Sequence, residues 1–577
     1  MKKKYKDILR LTIVIFALIL INIAAQIKFK RIDLTSDKRY TLSPFTKETL
    51  RNLDGQITIT ILLDGDNLPV RFQKFRSAIK ETLQEFEVYA GDKLTYKFLN
   101  PTDENMDKNE RIALYKHLQE LGIMPVQMEE ISQGEVSKIM LFPSVIITYT
   151  TTGNDSVYSY DYGLNLLLKD PNYEPTSEEN INNSIANLEY NLINEIYRIT
   201  LKKKPKIAFL EGHGELDEIF VLDMERTLGQ YYDIRRGRMG GTYGILDDFD
   251  VVIVAKPTKP FSKEDKFVLD QYLMKGGKIL WLVDGVNVDM DSIFYYDKAF
   301  AFPANTEELK LNDMFFSYGF RINSDLLQDM YCSPIRLIGV SATGQQQYHT
   351  FNWYYFPLLI SKENHVINKH IDAIHTNFIS SIDTIGTRPG IKRTVLLSTS
   401  ELSRIIPVNF PYEIRLSEVN NQVDKNLFDK QNIPVSILLE GSFRSAFKGH
   451  VVNSMLPPGE KFIDQSKPTK MIVVSDGDII RNAVTSKGEV VPLDVDKYSN
   501  MRFSGNKEFL LNAVNYLCDE QGLMNLRNRE FKLRLLSKDK IISQKTFWEI
   551  FNTFAPLLLI LVFILIINYI HKKKYSK

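Results

Sequence analysis

Residues 251–284 read VVIVAKPTKPFSKEDKFVLDQYLMKGGKILWLVD, and this stretch decides the fold class. Val251 to Ala255 is a continuous apolar run of strand length. Ser262 followed by Asp265 makes a capping-box-like helix start, because a cap hydroxyl can accept a hydrogen bond from an orphan amide of the first turn. The helix predicted from there ends at Gly276-Gly277, since glycine closes helices without steric cost. Lys278 to Asp284 (KILWLVD) then forms a second apolar strand. Strands apolar along their whole length are buried on both faces, so helices must cover both sides of the sheet. The expectation is an α/β fold with a doubly wound sheet.

The same alternation continues outward. Strand Ile207 to Leu210, a glycine-bearing loop and a helix from about Phe220 to Tyr231 precede it. Thr394 to Leu397, Val435 to Leu439 and Met471 to Val474 are later strands of the same kind. Between them, Ser341 to Phe351 (SATGQQQYHTF) is polar and Lys362 to Lys392 only weakly periodic, which predicts a loop insertion around 340–392.

Upstream, Ser43-Pro44 starts a helix and Asp54-Gly55 turns the chain. In QITITILLD, Ile57, Ile59, Ile61 and Leu63 share one face of a strand. Phe72, Phe75, Ile79, Leu83 and Phe86 then mark the buried stripe of a helix. A strand through Leu94, Tyr96 and Phe98, a helix around Arg111 to Leu121, and extended runs Ile139 to Thr150 and Ser156 to Tyr162 flanking Gly153-Asn154-Asp155 complete a thioredoxin-like order. One helix carrying Ile181, Ile185, Leu188, Leu192 and Ile196 follows, and Lys202-Lys203-Lys204-Pro205 breaks the pattern close to Leu201.

The two ends set the topology. Leu11 to Ala25 (LTIVIFALILINIAA) follows Lys2, Lys3, Lys4 and Lys6 and approaches the roughly 20 residues that span a bilayer. A cleaved signal peptide is the competing reading, although Ala24-Ala25-Gln26 is a weak cleavage site and Lys28, Lys30 and Arg31 follow at once. Phe547 to Ile570 (FWEIFNTFAPLLLILVFILIINYI) is a second span, with Trp548 and Tyr569 near its ends and His571, Lys572, Lys573, Lys574 and Lys577 beyond. Basic flanks outside both spans place both termini in the cytoplasm of a bacterial inner membrane and the bulk of the chain in the periplasm. The expected parts are 1–28 (N-terminus and first span), 29–201 (thioredoxin-like domain), 202–535 (doubly wound domain) and 536–577 (linker, second span and basic tail).

Of 577 residues, 72 are Lys or Arg and 71 Asp or Glu, so a formal charge of +1 gives no basic field for nucleic acid. Cys332 and Cys518 lack metal-ligand spacing and leave a single disulfide open. Three short motifs stand at strand ends, where open parallel sheets bind ligands. Glu211-Gly212-His213-Gly214-Glu215 offers Glu211, His213 and Glu215 as base or ligand groups, or else a tight structural turn. Ser475-Asp476-Gly477-Asp478 offers Asp476 and Asp478, and Asp284-Gly285 offers Asp284, in each case against the commoner reading of an Asp-Gly turn. HExxH, GxxxxGK[ST], GxGxxG in a strand-to-helix context and GxSxG are all missing, so no catalytic residue, metal or cofactor is assigned.

DLTSDKRYTLSPFTKETLRNL (33–53), PKIAFLEGHGELD (205–217), LDQYLMKGGKILWLVD (269–284), MIVVSDGDIIRN (471–482) and GNKEFLLNAVNYL (505–517), in that order between two spans, resemble the GldG family of gliding-motility-associated ABC-transporter auxiliary proteins. The resemblance implies a non-catalytic, substrate-binding-type subunit that works with a permease subunit and a cytoplasmic ATPase subunit in the lipid bilayer, with envelope or motility proteins as further partners. It also implies a sheet domain similar to amidotransferase- or flavodoxin-like folds, here without the amidotransferase nucleophile. Two other functions stay open: an envelope hydrolase or amidase using the His213 loop, and a purely structural motility scaffold.

Overall fold

A computed structural model describes Tyr5, residues 11–17, and residues 41–65, 68–103, 105–132, 135–153, 156–168, 173–201, 203–304, 309–340, 346–360, 365–385, 390–420, 424–528 and 538–575. Its contacts divide into a body, Tyr40–Arg529, and a unit made of both ends, Met1–Arg39 with Glu530–Lys577. The body is a mixed α/β structure.

Its first sheet orders the strands Leu94–Phe98, Gln56–Ile61, Ser144–Gly153 and Ser156–Asn165. The first pair is parallel (Ile57 opposite Leu94) and the rest antiparallel (Ile57 opposite Tyr149). Helix Val70–Ala90 lays Phe72, Phe75, Ile79, Leu83 and Phe86 against it, all fully buried as their spacing predicts. Each such side chain contributes about 1.5–3 kcal/mol by leaving water.

Two local features differ from expectation. Ile139 to Leu141 does not run on into the next strand but closes a separate hairpin, Val126–Ser132 with Glu135–Leu141. Pro143, which has no amide hydrogen to extend a ladder, stands between the two. The long helix is two helices, Glu178–Ala186 and Leu188–Thr200. They part at Asn187, whose backbone N–H donates to Asn183 O and Ser184 O and whose side-chain amide donates to Asn183 O.

The second sheet has seven strands in the order Ile391–Ser398, Pro434–Gly441, Thr469–Val474, Lys278–Leu282, Val251–Ala255, Lys206–Glu211 and Asp233–Arg238. The last five are mutually parallel, while Pro434–Gly441 is antiparallel to both its neighbours. Alternate residues feed two cores. Phe209, Ile253, Leu280 and Leu282 pack with Val221, Leu228, Phe509 and Val514, whereas Leu210, Val254 and Trp281 pack with Leu269, Leu273 and Phe315. Helices Glu218–Gly229 and Gly505–Cys518 therefore cover one face and Lys263–Met274 and Asn312–Tyr318 the other. The first core also holds Ile57, Phe72, Leu192 and Ile196, so apolar contact is continuous along the body.

The edge strand Asp233–Arg238 (DIRRGR) escapes any hydrophobic pattern, because an edge strand needs only half its surface buried. The Gln-rich stretch expected as loop is corrected: Gln346–Leu359 is a strand paired antiparallel with Cys332–Val340. Residues 346–350 are exposed, so ladder hydrogen bonds hold this outer half of the ribbon and no alternation marks it. Its inner half buries Trp353, Tyr355 and Phe356 in a third core with Ile335 and Ile414.

In the terminal unit, helix Lys538–Tyr575 contains a stretch, Ser543–Lys573, of 31 residues that is long and apolar enough to cross a membrane. Its apolar side chains are exposed, Leu559 at 68% and Phe563 at 63%. Of the expected first span, residues 11–17 are helical, and 18–25 lie outside the described residues.

Candidate functional site

The parallel strands converge their carboxyl ends on one rim of the second sheet, and charged side chains collect there. Val251–Ala255 ends at Lys256, which takes a left-handed backbone conformation (φ 52°) while its N–H still donates to Leu282 O at 2.8 Å. A non-glycine residue in that region carries a cost of about 1–2 kcal/mol, so its surroundings must hold it. They do so through its ammonium, which lies 3.2 Å from Asp284 Oδ2 and also bonds Asp478 Oδ2. Asp284 in turn accepts from Gly477 N at 2.5 Å, and Asp476 accepts from Asp478 N at 2.8 Å and Asn377 N at 3.1 Å. Gly477 is needed for this approach, because a Cβ there would stand 2.7 Å from Lys256 Cβ. Arg481 Nη1 reaches Asp478 Oδ1 at 3.3 Å.

Burial and charge oppose each other in this cluster. Burial alone would favour the uncharged Lys256, yet Asp284 and Asp478 outweigh it and hold the pKa above the usual range. Burial would likewise raise Asp478, but Lys256 and Arg481 keep it below the ordinary carboxylate value. Asp476 is pushed well up by burial and by the neighbouring Asp478 and Asp284 charges, and Asp284 is raised mainly by burial. Among the described residues no group of three or more His, Cys, Asp or Glu side chains is placed to hold a metal ion.

The six residues singled out in the sequence fall into two groups. Asp284, Asp476 and Asp478 come together around Lys256. Glu211 ends the strand Lys206–Glu211, and His213 and Glu215 lie in the loop that follows, where His213 is 4% exposed and stacks on Phe261 with ring centroids 3.7 Å apart. Its Nδ1 is 3.0 Å from Glu215 Oε1 and its Nε2 3.2 Å from Asp265 Oδ2. Both ring nitrogens are thereby engaged. Burial would lower its pKa, but Glu215 and Asp265 together raise it. Glu211 pairs with Arg236 at 2.8 Å. Backbone bonds from Thr258 N and Lys259 N to His213 O, 2.8 and 2.7 Å, join the two groups through the segment that begins with Lys256.

Beside the Lys256 cluster opens a cleft of about 260 Å³, lined in part by Lys256, Asp478, Arg481, His375 and Asn377. Of the residues picked from sequence only Asp478 lines it. Lys256 was legible as the residue after a strand; His375 and Asn377 sit in the weakly periodic stretch and carried no signal. His375 is positioned by Asn506, whose side chain accepts from His375 N and donates to His375 O, both at 2.8 Å. Phe503 stacks on the imidazole and Phe356 meets it edge-on. Both cysteines are free thiols, and burial pushes each up to about 12.

Residues 204–513, which include all seven strands of the second sheet, match the family described as an ABC-type uncharacterized transport system. Residues 36–148 match a domain of unknown function. An uncharacterized protein of Borreliella burgdorferi is 21% identical over the full length of both chains. Among solved structures, the mmIFT52 N-terminal domain is similar over 55% of this chain and 98% of its own, with 14% identity and a TM-score of 0.32. A thua-like protein from Parabacteroides merdae is similar over 55% and 90%, with 8% identity and a TM-score of 0.27.

Proposed function

We propose a function from one premise: the chain belongs to the family described as an ABC-type uncharacterized transport system. Its part in that system is accessory. The body serves as a non-catalytic recognition subunit outside the cytoplasm, held in the inner membrane by the helix within Lys538–Tyr575 and by the first apolar segment, with both termini cytoplasmic. It binds a transported substrate or an envelope partner, and a separate chain hydrolyses ATP. Residues 29–201 act as a thioredoxin-like domain and 202–535 as a doubly wound domain, and the chain works in the gliding-motility setting of the GldG family that it resembles.

The observation that supports this reading is the family match over the sheet domain in a chain that also has a helix long and apolar enough to cross a membrane and whose sequence contains no GxxxxGK[ST] motif. Purification of the intact protein from native membranes in mild detergent, with mass spectrometry of the co-purifying chains and an ATPase assay, tests it. A permease and an ATPase in the complex support it. Recovery of the protein without either, and without ATPase activity, sinks it.

A further inference from the structure

The cleft at the carboxyl ends of the parallel strands has walls whose charges are already spent on one another. Lys256 serves Asp284 and Asp478, Arg481 serves Asp478, and Lys497 lies 2.8 Å from Asp291. Asp289 caps the helix Met290–Tyr296 through the N–H groups of Asp291 and Ser292, and Asp496 accepts from Ser499 N at 2.7 Å. Among the described residues, each of these charged side chains already has an opposite charge or a hydrogen-bond donor beside it, so the cleft offers an ion less than it offers a neutral polar molecule.

Two polar groups are left over. Among the described residues neither His375 Nε2 nor Asn377 Oδ1, both buried atoms, has a hydrogen-bond partner, and both residues line the cleft. His375 is 9% exposed, and its nearest acid, Asp496 Oδ1, is 3.9 Å from Nε2, too far for a hydrogen bond. A buried polar atom without a partner is costly, and a ligand that supplies the partner recovers that cost. Phe220, Phe378, Tyr498 and Phe503 are also among the lining residues.

We propose that this cleft binds a neutral polyhydroxylated ligand, a single sugar ring or a short polyol, with His375 and Asn377 as its hydrogen-bonding anchors. A hydroxyl donates to Asn377 Oδ1 and can either donate to or accept from His375 Nε2, so it suits both imidazole tautomers. Burial holds the His375 pKa below its ordinary value against the pull of Asp496 and Asp478, which keeps the ring neutral and favours a neutral ligand. Sugar C–H faces pack on aromatic rings. The volume of about 260 Å³ falls just below the roughly 300–1,000 Å³ of sites for drug-sized molecules, which fits one ring. The ligand class deepens the recognition-subunit reading and depends on it for its biological setting only.

The test is calorimetric titration of the full-length protein, in a detergent without a sugar headgroup, with glucose, N-acetylglucosamine and myo-inositol, and with inorganic phosphate and glutamate as charged controls. Saturable binding of at least one neutral compound is expected, weakened about tenfold or more by Asn377→Ala and by His375→Ala. His375→Gln, which keeps a terminal amide near the ring position, is expected to retain part of it, and thermal melting without ligand checks that each variant is folded. Binding of phosphate or glutamate alone, binding of nothing in the panel, or neutral-compound binding indifferent to both substitutions overturns the proposal. Co-purification of an ATPase with no sugar binding rejects the ligand class alone, whereas sugar binding without transporter partners rejects the accessory-subunit reading alone.

Discussion

Lys256 Nζ lies 3.2 Å from Asp284 Oδ2 and also bonds Asp478, so one cation at the end of strand Val251–Ala255 ties carboxylates that follow two other parallel strands. All three side chains are 13–14% exposed. Replacing the cation leaves two carboxylates in a site built around it. Lys256→Met is expected to destabilise the body by about 3–5 kcal/mol in urea unfolding. Adding Asp478→Asn to that variant should cost less than the sum of the single changes, because the two share one interaction. Strict additivity would show that the pair does not couple.

Asp476 and Asp478 should leave opposite signatures in stability against pH. Asp476 is raised in the folded state, so the folded chain keeps a proton that the unfolded chain loses, and its contribution falls as pH rises from its unfolded value towards its folded one. Asp478 is lowered, so its stabilisation is complete above the unfolded pKa and is lost only as pH falls through the folded value. Unfolding free energies between about pH 5 and about pH 8 should therefore show Asp476→Asn improving relative to the parent as pH rises, with Asp478→Asn offset by a near-constant loss. Parallel curves for both variants would contradict this.

His213 has the same sign as Asp476. Its pKa is raised by Glu215 and Asp265 against the effect of burial, so its contribution is fully present below the unfolded value of about 6.5 and is lost as pH rises through the folded pKa. His213→Gln should cost about 3–5 kcal/mol at mildly acidic pH, since it leaves buried carboxylates without their cation, and the gap should narrow at alkaline pH. A gap that widens with pH would mean the ring is held neutral.

Cys332 and Cys518 are free, partly shielded thiols raised to about 12. A thiol reagent at neutral pH should label neither at an appreciable rate in the native protein and both after unfolding in guanidinium. Mobility on a denaturing gel should be the same with and without reductant. Rapid native labelling of either cysteine would overturn the assignment.

Much of the local structure was legible before any tertiary information. The Ser262 cap accepts from Asp265 N at 3.0 Å, as the capping-box pattern requires, and Val251–Ala255 has the predicted bounds. Elements that bury little apolar surface were not legible: the charged edge strand Asp233–Arg238 and the outer half of Gln346–Leu359 offer no hydrophobic period to read. The candidate site was visible only as strand-end residues. Asp478 could be picked as one such residue, but its pairing with Lys256, 222 positions away in sequence, could not.

The sequence alone determined what depends on neighbours along the chain: the alternation of apolar strands with capped helices, the stripe on Val70–Ala90 and the apolar segment near the C-terminus. Only the tertiary structure decided the strand order, the antiparallel setting of Pro434–Gly441, and the meeting of Lys256, Asp284, Asp478 and His375 at one rim. The reason is physical. Periodicity and capping arise from interactions within a few residues, whereas the partners of a charged side chain at a strand end are set by which strands pack side by side, and many orders bury the same apolar surface.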